Sequence, residues 1–284
     1  MVAADRIHLA AQAAPDAALL AHVYVTITGK GDSSPDPSVS QFSASIDKQP
    51  AKVNALRSAN GDKLLFALIV DGSGSSVKAG GEIRQAAAHL FESLSAEGDE
   101  GYLVIIVNSQ IETSNGIISI AQVQRKLGIT PFQGGTAILD AIGDTSKKVL
   151  SRAGNPNFPL RAIFLISDGG DNSSRLTRSE AEQNAEEEGV AIFSLAIEPN
   201  EKEDGEDASR GLKLLEEVSQ ATGGLEFFPQ RLEDGIPALL NAVHHRWVLD
   251  LAPSQVPTPG LHSLQVKNTE KNMRLSAPAK ISIP

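Results

Sequence analysis

Hydrophobic and polar positions alternate strictly from His22 to Thr28. Val23, Val25 and Ile27 fall on one side, Tyr24, Thr26 and Thr28 on the other. That period of two predicts a half-buried strand. Phe42, Ala44 and Ile46 repeat it, and Asp47-Lys48-Gln49-Pro50 reads as the turn that ends it. The pattern changes after Lys63. Residues 64–70 form an unbroken apolar run, as expected of a strand covered on both faces. Ile83, Ala87, Leu90, Phe91 and Leu94 then recur at helical spacing. Buried strands are predicted at 102–107, 162–166 and 190–197, and a further short strand at 225–228. An edge strand is predicted at 117–120, after the turn signal Asn115-Gly116. Helices are predicted from Thr136, from the capping box Thr177-Arg178-Ser179-Glu180 to Gly189, over 209–222, and over 232–244.

Strands alternating with helices over 62–245 predict an α/β domain with a doubly wound, mostly parallel sheet. Beyond it, 247–251, 261–267 and 273–283 return to a β pattern. The expected division is a poorly ordered segment 1–20, a β flank 21–60, the α/β domain 62–245 and a second β flank 246–284. The two flanks are expected to pair as a small β-sandwich, since domain termini are often close in space.

Charge narrows the function. The net charge is −10, and it resides in one segment: residues 180–207 carry eleven acids and one base, Lys202. That segment reads as a solvated helix face and a loop; a calcium loop at 201–207 lacks the EF-hand ligand pattern. No basic stripe for nucleic acid is present, and no apolar run is long enough for a transmembrane helix. The absence of Cys excludes disulfides, thiolate metal sites and thiol nucleophiles. No export signal can be read at the Ala-rich N-terminus.

Candidate chemistry lies where predicted strands end. Ligands of open α/β sheets bind outside the carboxyl ends of the strands, where strand order reverses. Asp71-Gly72-Ser73-Gly74-Ser75 follows the first buried strand, Ser167-Asp168-Gly169-Gly170-Asp171 follows a later one, and Gly134-Gly135-Thr136 opens a helix. Two carboxylates with hydroxyls, and no imidazole or sulfur, suit a hard cation such as Mg²⁺ or Mn²⁺. Helix capping is the simpler alternative for Asp71, Ser73, Ser75 and Thr136, and a turn for Asp168. Asp171 reads first as a solvated turn residue and second as a helper behind the metal ligands, and Asp140 reads as an acid complementing a helix dipole. Gly-x-Ser-x-Gly, a phosphate-binding Gly-Lys-Ser/Thr loop, the dinucleotide fingerprint and His-Glu-x-x-His are all absent.

Asp71-x-Ser73-x-Ser75, Thr136 and Asp168, in this order along the strand–helix alternation, resemble the metal-ion-dependent adhesion site of von Willebrand factor type A domains. The flanks at 23–53 and 247–284 resemble those of acidobacterial-type von Willebrand factor A-related proteins. The resemblance implies that Ser73, Ser75 and Thr136 coordinate Mg²⁺ (or Mn²⁺ or Ca²⁺) directly. Asp71 and Asp168 would act directly or through water, and an Asp or Glu of a protein partner would complete the shell. It further implies a non-catalytic adhesion module, an extracellular, periplasmic or cell-surface setting, and a last helix, 232–244, in the place that slides in integrin-like members. Two other functions remain open at this point. One is a Mg²⁺-dependent phosphate-ester hydrolase using Asp71, although Ser73 stands where such enzymes carry a second carboxylate. The other is a structural or assembly subunit in which metal is incidental.

Overall fold

The computed structural model describes residues 21–29, 36–197, 205–255 and 257–283. The expectations for 1–20 and for most of the acidic loop 201–207 lie outside these residues. In chain order, β1 (Ala21–Gly29), β2 (Phe42–Ile46) and β3 (Gln49–Ser58) lead into β4 (Leu64–Asp71). Then come α1 (Gly80–Ala96), β5 (Glu100–Val107), β6 (Gln110–Thr113), α2 (Ile120–Ile129) and α3 (Ile138–Asp144). β7 (Leu160–Ser167), α4 (Arg178–Glu188), β8 (Val190–Ala196), α5 (Gly205–Ala221), β9 (Glu226–Phe227) and α6 (Leu232–His244) follow. The chain ends through β10 (Arg246–Pro253), β11 (Gly260–Asn268), β12 (Met273–Ser276) and β13 (Lys280–Ile283).

The central sheet has the order β6-β5-β4-β7-β8-β9, parallel except for β6. Every residue of β4 is buried because both faces of the sheet are covered. Phe66, Leu68 and Val70 meet the apolar stripes of α1, α2 and α6 on one face. Leu65, Ala67 and Ile69 meet α3, α4 and α5 on the other. Phe66 packs edge-on against Phe91 and Phe164 at centroid distances of 5.0 and 5.8 Å. Each such buried side chain contributes about 1.5–3 kcal/mol by leaving water. The chain runs from β4 to β5 on one side and later returns to β7 on the other, so strand order reverses between β4 and β7. A crevice at the carboxyl ends of these two strands is the position such a fold reserves for ligands.

The second sheet is antiparallel, in the order β12-β1-β10-β3-β2-β11-β13. The strands of both flanks join in one hydrogen-bonded sheet of seven, which curls so that β11 meets β12 (Asn268 Nδ2 to the Met273 carbonyl, 3.0 Å) and gathers its own apolar core around Val25, Phe42, Leu249 and Leu251. A register shift between β10 and β3 at Asp250/Leu251 bends the pair. The sheet is tied to the central core by buried hydrogen bonds from Thr26 Oγ1 to the Gly223 carbonyl (2.8 Å) and from Ser276 Oγ to the Gly224 carbonyl (2.7 Å).

Three local expectations are corrected. The edge strand is Gln110–Thr113, not 117–120; it returns from β5 through Asn108 and Ser109, both at positive φ, the conformation of a tight hairpin. Residues 117–120 instead lead into α2, which Ser119 and Gln122 open with a reciprocal capping box. β3 continues past the Asp47-Lys48 turn to Ser58, and residues 273–283 form two strands rather than one.

Candidate metal centre

Asp71 is the last residue of β4 and is fully buried. Its Oδ1 accepts the Ser73 backbone N–H at 3.0 Å, and its Oδ2 accepts the Ser167 hydroxyl at 2.6 Å. The first bond curls the loop over the carboxylate. The second ties the end of β4 to the end of β7. Ser73 is buried, Ser75 is exposed, and their hydroxyl oxygens stand 3.1 Å apart. Asp168 lies just past β7 and is partly exposed, with Oδ1 accepting the Gly170 N–H at 2.9 Å.

Thr136 reaches the same place by another route. Its loop is bound to the Asp71 loop by Gly74 N–H to the Gly134 carbonyl (2.9 Å) and Gln133 N–H to the Gly72 carbonyl (2.7 Å). Asn108 N–H to the Gln133 carbonyl (3.0 Å) joins both to the end of β5. Gly134 has φ +77°, and a Cβ there would stand 2.6 Å from the Asn108 Cα, so the close approach of the loops requires glycine. On its other side, the Thr136 carbonyl accepts the N–H groups of Asn172 and Ser173, and its own N–H bonds Asn172 Oδ1 at 3.0 Å. Thr136 is buried. It precedes α3 by two residues, so it does not cap that helix; Ala137 holds the N-cap position.

The structure therefore brings Asp71, Ser73, Ser75, Thr136 and Asp168 to one end of the sheet, on three loops joined by backbone hydrogen bonds. It also reveals residues that sequence reasoning missed or misread. Ser167 was passed over, although a polar residue closing an apolar strand is a signal. Asp171 is no solvated turn residue: its Oδ2 accepts the Leu139 N–H at 2.9 Å and the Ser174 hydroxyl at 2.6 Å. Asp140 is buried and accepts the N–H groups of Arg175 and Leu176 at 3.0 and 2.8 Å. Although burial opposes it, those donors hold the Asp140 carboxyl below the usual carboxylate range. The two acids thus brace α3 and the 168–176 loop against each other.

Asp71 shows the opposite balance. Burial pushes its carboxyl up to about 6, against the lowering hydrogen bonds from Ser167 and Ser73, and the like charge of Asp168 adds to the rise. A pair of neighbouring carboxylates, one of them desolvated, is a setting that a divalent cation relieves. The donors are all oxygen, which fits Mg²⁺, Mn²⁺ or Ca²⁺ better than metals that favour imidazole or sulfur. Among the described residues there is no group of three His, Asp or Glu side chains placed to hold a metal, so hydroxyls must supply part of any shell here.

No family profile matches the chain, and no curated protein matches its sequence. Solved structures do match in fold. Proximal thread matrix protein 1 from mussel byssus, in a form described as having a zinc-occupied MIDAS motif, aligns with a TM-score of 0.50 at 15% identity, covering 66% of this chain and 50% of that one. The pilus adhesin SpaC from Lactobacillus rhamnosus GG, in an open conformation, aligns with a TM-score of 0.50 at 12% identity, covering 90% of this chain and 42% of that one. The chain thus spans half or less of the length of either protein. The fold is von Willebrand factor A-like. An aerotolerance-related membrane protein from Bacteroides fragilis also aligns, with a TM-score of 0.47 at 17% identity over 63% of this chain and 98% of that one. In this chain, the loops that carry the five residues of the sequence motif are joined to one another at the carboxyl ends of β4 and β7.

Proposed function

We propose that this chain is a non-catalytic, metal-dependent adhesion module. Ser73, Ser75 and Thr136 coordinate Mg²⁺ directly, and Asp71 and Asp168 hold it directly or through water. An Asp or Glu of a protein partner completes the shell. The observation that carries this reading is the buried Asp71, raised toward neutrality by its burial and by Asp168, at the centre of three interlocked loops. Three hydroxyls donate little charge, so a cation held there stays electrophilic enough to take an outside carboxylate.

The hydrolase alternative fares worse. Both Asp71 oxygens are occupied by hydrogen bonds and the side chain is fully buried, which is poor placement for a nucleophile. The fold likeness to a pilus adhesin supports an adhesive role at an extracellular, periplasmic or cell-surface location. We further propose that the α/β core over 62–245 and the seven-stranded sheet are two domains, the first carrying the site.

Thermal unfolding tests the reading with the metal alone. Mg²⁺ at about 100 times its Kd stabilises a native-only site by about 2.7 kcal/mol. For a chain of this size that raises the Tm by roughly 5–10 °C over the EDTA-treated protein. Asp71→Ala should abolish the shift. Equal shifts in wild type and variant, or none with Mg²⁺, Mn²⁺ or Ca²⁺ at millimolar concentration, would overturn it.

A further inference from the structure

A cavity of about 430 Å³ opens where the seven-stranded sheet meets the central core. It lies at the start of β7 and β8, the opposite end of these strands from Asp168. Tyr24 of β1 and Lys280 of β13 line one side; Arg161 of β7, Arg246 of β10, and Arg152 and Glu186 from the core lie among the other polar residues of the lining. Its size falls within the range of small-molecule sites.

The charges around it do not balance. Glu186 is the carboxylate in the lining, and Lys280 Nζ already stands 3.1 Å from it. Arg161 and Arg246 are 6% and 3% exposed, and neither has a carboxylate within ion-pair distance among the described residues. Arg161 donates one Nη2 bond to the Asn155 carbonyl at 2.6 Å. Arg246 donates one long bond, 3.4 Å, to the Tyr24 carbonyl and lies over the Tyr24 ring at 5.5 Å. The Nε of each is buried without a hydrogen-bond partner. Arg152 spends its Nε on the Glu188 carbonyl at 2.9 Å. Burial lowers the affinity of Arg161 for its proton and the charge of Arg152 lowers it further, while the Glu188 carboxylate, just outside the lining, opposes both in part. An unpaired buried charge costs several kcal/mol, and guanidiniums stay protonated rather than escape that cost.

We propose that this cavity binds a small-molecule oxyanion, a phosphate or carboxylate group gripped by Arg152, Arg161 and Arg246. Planar guanidiniums with free donors are suited to such groups, which they bind through paired charge-assisted hydrogen bonds. The bound anion joins Arg246 of the flanking sheet to Arg161 of the central one, so it clamps the two sheets together. This site is separate from the metal centre and does not depend on it.

The test is calorimetric titration of the whole chain with inorganic phosphate and, separately, citrate, in EDTA so that no metal can recruit the anion. Sodium chloride matches ionic strength, since both anions also stabilise proteins non-specifically. One of the two should bind at one site with a Kd of about 1 mM or tighter. The tighter arm tells whether a phosphate or a polycarboxylate is the better ligand. Arg161→Gln should weaken binding at least tenfold. Because Arg161 is buried, Arg152→Gln on the exposed loop serves as the variant that keeps the fold, and it too should weaken binding several-fold. Asp71→Ala should leave it unchanged. Absence of binding by both anions, or equal binding in wild type and Arg152→Gln, would overturn the proposal.

Discussion

Asp71 contributes one part of the pH behaviour of the metal-free protein, and Glu226, which burial pushes up to about 7, contributes another. The Asp71 carboxyl titrates near 3.8 when unfolded and about 6 when folded. The native state therefore binds more protons between these values, and stability falls as pH rises from about 4 to 6. The difference of roughly two pKa units corresponds to about 3 kcal/mol, fully lost above pH 6. Denaturant unfolding in EDTA should show this decline, and Asp71→Asn should remove Asp71's share of it and leave that of Glu226. Protons and metal compete for the same oxygens, so metal affinity should drop below about pH 6; calorimetric titration across pH 5–7.5 checks this. Ser167 acts through Asp71. Ser167→Ala removes the donor to Oδ2 and should weaken metal binding about tenfold, as loss of a partner behind a ligand commonly does. Unchanged affinity would mean that this hydroxyl does not orient the carboxylate.

At the scale of elements, the site depends on loops that hold each other. Asp171 carries the α3 N-terminus, and Asp140, one turn in, carries the loop that returns from Asp168. Asp140→Ala leaves two backbone N–H groups without their acceptor and should cost about 1–3 kcal/mol in stability. It should also weaken metal binding through Thr136; denaturant unfolding and metal titration of the same variant measure both. The strands and helices that create this end of the sheet were legible because their causes are local. The apolar run 64–70 and the Thr177–Glu180 capping box are complete signals in themselves. The braces were not, because Asp140 and Asp171 take their roles from partners more than thirty positions away. The misplaced edge strand has a different cause. Ile117, Ile118 and Ile120 imitate a strand, yet Ile117 is exposed while Ile118 and Ile120 pack on the core as α2 begins. The Ser119–Gln122 pair was the readable sign of that helix.

For the whole molecule, the contacts between the sheets decide whether they unfold together. Thr26 and Ser276 bond the carbonyls of Gly223 and Gly224, at the turn between α5 and β9. Thr26→Val with Ser276→Ala leaves both carbonyls without these donors and should lower stability by about 2–4 kcal/mol, taking one to two per lost bond. Calorimetry should then resolve two transitions where the wild type shows one. A single transition in the variant would mean that apolar packing alone couples the sheets. The joined sheet has one further consequence. β3 ends at Ser58 opposite Trp247 of β10, so the entire α/β core is a loop between two neighbouring strands. Closing a flexible loop of that length costs on the order of 5 kcal/mol, but a core that has already folded holds the two strands side by side. The order of folding follows: core first, flanking sheet last. Trp247, the one tryptophan in the chain, sits in β10 and reports the late event. In refolding, its fluorescence should settle more slowly than the far-ultraviolet signal of the helices. During synthesis, β1 and the β2–β3 hairpin emerge well before β10, β11 and β12, the other strands they pair with.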